Sequence, residues 1–175
     1  MKEKQWGEAV EPVSVLTSAE LQRFIEDKGI AATILPMSQH TPTVTDAARA
    51  LGVDTAQIIK SLVFVADDTP LLVINNGLAR VDRRKLGAIL GVGRKRVRFA
   101  SPEQALDITG YIVGSMPPFG HRQTLKTLID PAVAELDLLF GGGGDIDAMM
   151  RLTAAELLRA TNGQVCPLSE EAASQ

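Results

Sequence analysis

The sequence predicts a single α/β or α+β domain built on a mixed, curved sheet, and three observations carry that prediction. The chain has 175 residues, 45% of them apolar, which suits one domain with a real core. Helical and strand-like periods interleave without the long, regular alternation of a doubly wound fold. Near the middle, two apolar runs flank a short polar turn, which is a hairpin signal.

The elements follow in chain order. Residues 1–16 have no clear period and are expected to form an N-terminal arm, leaving 17–170 as the domain. Thr17 or Ser18 caps a first helix, with Glu20 in its first turn, Leu21, Phe24 and Ile25 at helical spacing, and Gly29 as its stop. Ala32 to Leu35 is a short strand, and Pro36 to Pro42 a polar loop. Thr45 is the expected cap of a second helix over Asp46–Leu51, closed by Gly52. A third short helix is expected from Thr55 to Ile59. The hairpin then comprises Ser61–Ala66, the turn Asp67-Asp68-Thr69-Pro70, and Leu71–Ile74. Asp82 caps a helix over Arg83–Leu90, which Gly91 and Gly93 end. Val97-Arg98-Phe99 is a strand candidate. Ser101-Pro102-Glu103 begins a short helix, with serine as cap and proline at the first position. Tyr111-Ile112-Val113 is expected as a strand running into Gly114. Thr127–Asp130 and Asp137–Phe140 are further strands, Gly141–Gly144 a turn or exposed loop, and Ala154–Thr161 a final helix ended by Gly163.

Composition removes several classes of function. No apolar run approaches the roughly 18 residues of a membrane-spanning helix, and no apolar segment follows the N-terminal Met1-Lys2-Glu3-Lys4, so neither a membrane span nor a secretory signal is expected. A cytoplasmic location is the resulting expectation. Cys166 is the sole cysteine, and the histidines are just His40 and His121. An internal disulfide and a Cys-His metal cluster are therefore excluded on numbers. The net charge of -3 argues against a protein that coats nucleic acid generically. The charge is uneven, however. Arg80, Arg83, Arg84, Lys85, Arg94, Lys95, Arg96 and Arg98 crowd one segment, while acids dominate from Asp130 to Asp147. Such a face suits either a partner that touches part of the surface or plain solvation.

Familiar catalytic patterns fail. No Lys-Ser or Lys-Thr follows Gly141–Gly144, so this is not a phosphate loop. Gly87, Gly91 and Gly93 follow a helix instead of a strand, which rules out a dinucleotide fingerprint. No Gly-x-Ser-x-Gly elbow is present, and the two histidines lack the sequence context of a triad.

Two features remain. Lys60 is a lone charge in Ile58-Ile59-Lys60-Ser61-Leu62-Val63-Phe64. An unpaired ammonium is costly to bury, so it must reach solvent or meet an anion. It either snorkels outward at a helix end or aims a cation at a phosphate or a developing oxyanion. The second feature is Gly110-Tyr111-Ile112-Val113-Gly114-Ser115-Met116-Pro117-Pro118-Phe119-Gly120. Its glycines allow close backbone approach and its prolines stiffen it. The loop either offers backbone N–H groups to an oxygen or is a rigid turn with Phe119 plugged into the core.

Taken with the segments around them, these two features resemble the YbaK/ProX group of free-standing aminoacyl-tRNA deacylases, relatives of the editing domain of bacterial prolyl-tRNA synthetase. The resemblance runs from about Ser18 to Leu168. Its landmarks come in order: Thr41-Pro42-Thr43-Val44, Ala47 to Val53, Ile59-Lys60-Ser61-Leu62-Val63, Val81-Asp82-Arg83-Arg84-Lys85-Leu86, the Gly114–Gly120 loop, Ile129-Asp130, and Gly141–Gly144.

The resemblance implies a domain whose central mixed sheet curls toward a barrel, flanked by helices. It implies hydrolysis of the ester at the aminoacylated end of a tRNA, with no metal or other cofactor. Lys60 would contact the terminal adenosine or phosphate. The backbone of Gly114, Ser115 and Met116 would polarise the ester carbonyl, and water would attack. Thr43, Ser61, Tyr111, Pro117, Pro118, Gly142 and Gly143 would surround the substrate. Ser61 and Pro117 stand where family subgroups differ, and both are expected to line the pocket. Alanine on the tRNA for proline is the first expected substrate, with cysteine or serine next. Arg80, Arg83, Arg84 and Lys85 are our candidates for phosphate contacts to the acceptor stem. The expected partners are the aminoacyl-tRNA end and prolyl-tRNA synthetase, with the protein a monomer or homodimer. Two other readings remain open at this level: an inactive module that kept the fold and pocket, and a protein that docks on a synthetase through the basic segment.

Overall fold

A computed structural model describes residues 12–171. Residues 1–11, and with them most of the expected N-terminal arm, lie outside the described residues. The elements are α1 (Ser18–Lys28), β1 (Ala32–Pro36), α2 (Val44–Leu51), β2 (Ile59–Ala66), β3 (Thr69–Asn76), α3 (Arg83–Leu90), β4 (Val97–Phe99), α4 (Pro102–Thr109), β5 (Lys126–Ile129), α5 (Pro131–Ala134), β6 (Leu138–Gly142), β7 (Ala148–Thr153), α6 (Ala154–Thr161) and β8 (Gln164–Val165).

The strands form two sheets. One is antiparallel and three-stranded, in the order β1-β7-β6; the other has five strands in the order β4-β2-β3-β5-β8. The larger sheet is mixed, with β5 parallel to β3 and to β8. The two sheets meet at an isolated parallel bridge between Ile58 and Phe140. The mixed sheet is therefore as expected, but the strands do not close into a barrel.

Local chemistry explains most boundaries. Thr17 caps α1 in a reciprocal box with Glu20, and Gly29 ends it in the left-handed region. The α2 cap is Thr43 instead of Thr45, because the Thr43 hydroxyl accepts from the Asp46 N–H; Thr45 lies inside the helix. The expected third helix is one 3-10 turn over Thr55–Gln57, and β2 already starts at Ile59. Lys60 thus lies within a strand and not at a helix end. The hairpin turn shrinks to Asp67 and Asp68, both at positive φ (50° and 66°), as a two-residue turn requires. Pro70 sits inside β3 opposite Val65.

Three expectations fail further on. Tyr111–Val113 is not a strand: the Ser115 N–H and Oγ both donate back to the Ile112 carbonyl, at 3.2 and 2.9 Å, and curl the chain into a turn. Gly141 and Gly142 belong to β6, and only the residues after them turn. The helix α6 ends on Asn162, at φ 48°, rather than on Gly163. Two strands escaped prediction altogether, the two-residue β8 and β7. Ala148-Met149-Met150 favours helix by propensity, yet pairing with β1 on one side and β6 on the other makes β7 a strand.

The main core lies between the sheets and the helices α1 and α6, around Leu21, Ile25, Val63, Leu72, Ile129, Leu139 and Leu157. A second cluster covers the other face of the large sheet, where Phe64, Leu71 and Val73 pack on Leu86 of α3 and Leu168 of the C-terminal segment. In the third, Ala47 and Ala48 of α2 seat on Phe140 and Met149.

Candidate functional site

A cavity of about 460 Å³ opens at the seam of the two sheets, within the usual range for ligand pockets. Its walls come from the 41–47 segment, the edge of β2, the end of β4 with the start of α4, the Gly114 loop, and the small sheet. Lys60, Ser61, Thr43, Gly114, Met116 and Gly142, all expected at the site, meet there.

The edge of β2 is the site's backbone feature. Ala66 and Thr69 flank the two-residue turn, so even-numbered β2 residues bond to β3 and odd-numbered ones point their N–H and C=O away. Pro70, which has no N–H, fits opposite Val65 for that reason. Val63 uses its outward carbonyl to accept from the Ala100 N–H at 2.9 Å. At the other end the Ile58–Phe140 bridge occupies the edge. Between them Ser61 presents its main-chain N–H and C=O to the cavity. Its buried Oγ also has no hydrogen-bond partner.

Lys60 pairs across the hairpin with Asn75. Its Nζ donates to the Ala79 carbonyl, which also accepts from Asn75 Nδ2 at 3.0 Å. Burial, helped by the adjacent Arg80 charge, holds the Lys60 ammonium below the ordinary lysine value. An ammonium has three donors, so the single carbonyl leaves it able to bind an anion.

The Gly114 loop lines the same cavity as Lys60. Gly114 adopts φ 98°, and among the described residues its N–H and that of Met116 donate to no backbone oxygen. The glycine run holds this loop in place. A Cβ on Gly142 would stand 2.2 Å from the Met116 carbonyl oxygen, and the Gly144 N–H donates to the Ser115 carbonyl at 3.0 Å. These glycines bring β6 against the loop backbone, which no side chain would allow.

Other expected residues lie behind the cavity wall. Ser115 is buried and bonded to Ile112. Tyr111 is fully buried, with its hydroxyl unpartnered and its phenol pushed up by burial; its ring meets His121 edge-on. Pro117 accepts from His121 Nε2 at 2.8 Å. Burial keeps that imidazole below its usual pKa. Pro118 lines a separate hollow of about 260 Å³, and Gly143 packs on Ala148. Arg83 and Arg84 border a third hollow with Asp82, Arg94 and Glu170. Lys85 donates to the Ser169 carbonyl and Arg83 to the Val97 carbonyl.

Phe99, Val113, Ala105 and Met149 line the cavity but were not expected there. Met149 was hidden because β7 was. The Val97/Phe99 alternation carried a signal for Phe99, since both fall on one face of the strand.

Residues 38–160 match the model of the aminoacyl-tRNA editing domain. The chain is 30% identical over 116 residues to the uncharacterised protein YwhH of Bacillus subtilis (strain 168), covering 66% of this chain and 72% of that one. It is 39% identical over 88 residues to the proline–tRNA ligase of Ligilactobacillus salivarius (strain UCC118), covering 50% of this chain but 15% of the ligase. A crystal structure described as a candidate trans-editing enzyme for prolyl-tRNA synthetase superposes with a TM-score of 0.82 at 32% identity, over 88% of this chain and 97% of that one. The chain belongs to the aminoacyl-tRNA editing domain family.

Proposed function

We propose that the protein is a trans-editing deacylase that hydrolyses the ester of a mischarged tRNA, with alanine on the tRNA for proline as first substrate and cysteine or serine next. The observation that carries this reading is that Lys60, Ser61, Gly114 and Met116 line one cavity, while the Gly114 and Met116 N–H groups donate to no backbone oxygen among the described residues.

The aminoacyl end enters the seam. Lys60 anchors the terminal phosphate or adenosine. The Ser61 main chain and Oγ take up the polar atoms of the aminoacyl group, and Thr43 flanks it from the α2 cap. The Gly114 and Met116 N–H groups hold the carbonyl oxygen as it becomes an oxyanion, and water attacks the carbon. Positioning plus oxyanion stabilisation is enough for an ester that is already activated. Pro117, Pro118, Tyr111 and Gly143 act from behind, by keeping the loop rigid. Apolar walls at Ile59, Val63, Met116 and Met149 favour a small, uncharged side chain. One methylene is worth only about 1–3 kcal/mol, so such a pocket ranks substrates by size. Arg80 and Arg84, with Arg83 and Lys85, offer the acceptor stem cations for its phosphates.

A panel of mischarged tRNAs tests this. Alanyl-tRNA for proline should be cleaved fastest, and Lys60→Ala should abolish cleavage. No turnover on any member of the panel would leave a binding module in its place.

A further inference from the structure

Phe99 ends β4 with one side of its ring resting on Phe64, centroids 4.2 Å apart and planes inclined by 33°. Despite that support the residue is 55% exposed and forms part of the cavity wall. Aromatic residues make up just 4% of the chain, so this ring is not overflow from a crowded aromatic core. It is a backed ring with one side open.

Its position relates it to Lys60. Phe99 stands opposite Phe64 in the β2–β4 register. Side chains alternate along a strand, so Lys60, Leu62 and Phe64 share a face, and Phe99 shares it with them. Four residues of strand separate Lys60 from the level of Phe99, about 13 Å. That is several times the roughly 3.4 Å rise of one stacked nucleotide. From α3, Arg83 reaches the carbonyl of Val97 on the same strand, two residues before Phe99, at 3.4 Å.

We propose that Phe99 is a stacking platform for an unpaired base of the RNA 3′ end, upstream of the terminal nucleoside whose ester enters the cavity. The proposal rests on the deacylase reading for the direction of the strand. Aromatic rings between cations are how proteins hold single-stranded nucleic acid: the cations take the phosphates and the ring takes a base of any identity. Charge selects RNA over a protein partner here, because Lys60 lines the same cavity as Phe99, the Arg80 charge adjoins Lys60 and Arg83 reaches β4 at Val97.

The test is direct binding, which needs no turnover. In a Trp6→Phe background, Phe99→Trp supplies one fluorophore, titrated with a short single-stranded RNA ending in CCA. Saturable quenching should appear with the intact RNA and vanish when the bases upstream of the terminal adenosine are replaced by abasic sites. Phe99→Leu keeps the packing on Phe64 but has no π-face, and should bind the RNA about tenfold more weakly with an unchanged melting temperature. Quenching that ignores the abasic sites, or Phe99→Leu affinity equal to the parent, overturns the platform. Base-dependent quenching in a protein that cleaves no panel member supports the platform and defeats the deacylase reading alone. Cleavage by a Phe99→Leu protein of unaltered affinity does the reverse.

Discussion

Lys60 is held at a pKa below that of an ordinary lysine, and the sign of that shift has two consequences. In the unfolded chain it titrates near 10.4. The folded state binds the proton less tightly, so the charged lysine costs stability at every pH below its folded value. The cost fades as pH rises from the folded to the unfolded value. On the proposed deacylase reading, function and stability therefore pull in opposite directions at this residue. Lys60→Met keeps the stem and removes the charge; deacylation should fall about 100-fold or more, while the melting temperature holds or rises. A lower melting temperature would show that the bond to Ala79 holds the fold together. The place of this residue in the cavity wall was legible in the sequence because a lone charge in an apolar run is conspicuous. The contribution of Ser61 was less so, since its outward N–H and C=O depend on a register counted from the turn.

At the scale of elements, short-range chemistry was readable and long-range pairing was not. Caps and stops at Thr17, Gly29, Gly52, Asp82 and Ser101 fall where side-chain chemistry puts them. β7 stayed invisible because its partner β1 lies more than a hundred residues away in sequence, and pairing there and with the adjacent β6 overrides the helical preference of Ala148, Met149 and Met150. The β2–β3 turn offers a test. Asp68 sits at φ 66°, a conformation that glycine adopts freely. Asp68→Gly should raise stability by about 0.5–1 kcal/mol in chemical denaturation and leave deacylation unchanged. It preserves the exposed Asp67–Arg96 ion pair. A loss of stability would mean that the added chain entropy of glycine outweighs the relieved strain.

At the scale of the whole molecule, the fold reaches past the residues that match the family. The match ends at 160, yet Leu168 is fully buried against α3 and the large sheet. Asp130 holds that segment: its carboxylate accepts from Leu168 and Ser169, each at 3.0 Å, and from Ala132. Burial raises the Asp130 pKa, but these N–H donors outweigh it and leave the group below the usual aspartate value. Its stabilisation is thus complete above the unfolded value of about 3.9 and is lost as pH falls through the folded one. Asp130→Asn should lower stability at neutral pH by about 1.5–3 kcal/mol and flatten the acid limb of the melting-temperature profile. An unchanged limb would assign acid sensitivity to other carboxylates. That the larger sheet is mixed was foreseeable from the interleaved helix and strand periods; that the strands stay open at the seam was not, because closure depends on how β6 meets Ile58.

The gap at Ser61 has a consequence for solubility. Unpaired strand edges are templates on which other chains add strands and aggregate. This edge is stoppered at Ile58 by Phe140 and at Val63 by Ala100. What stays open is the short stretch around Ser61, too short for an incoming strand to gain a ladder but long enough for a single aminoacyl unit. A sheet edge that would otherwise invite self-association is thereby cut down to the length of its proposed ligand.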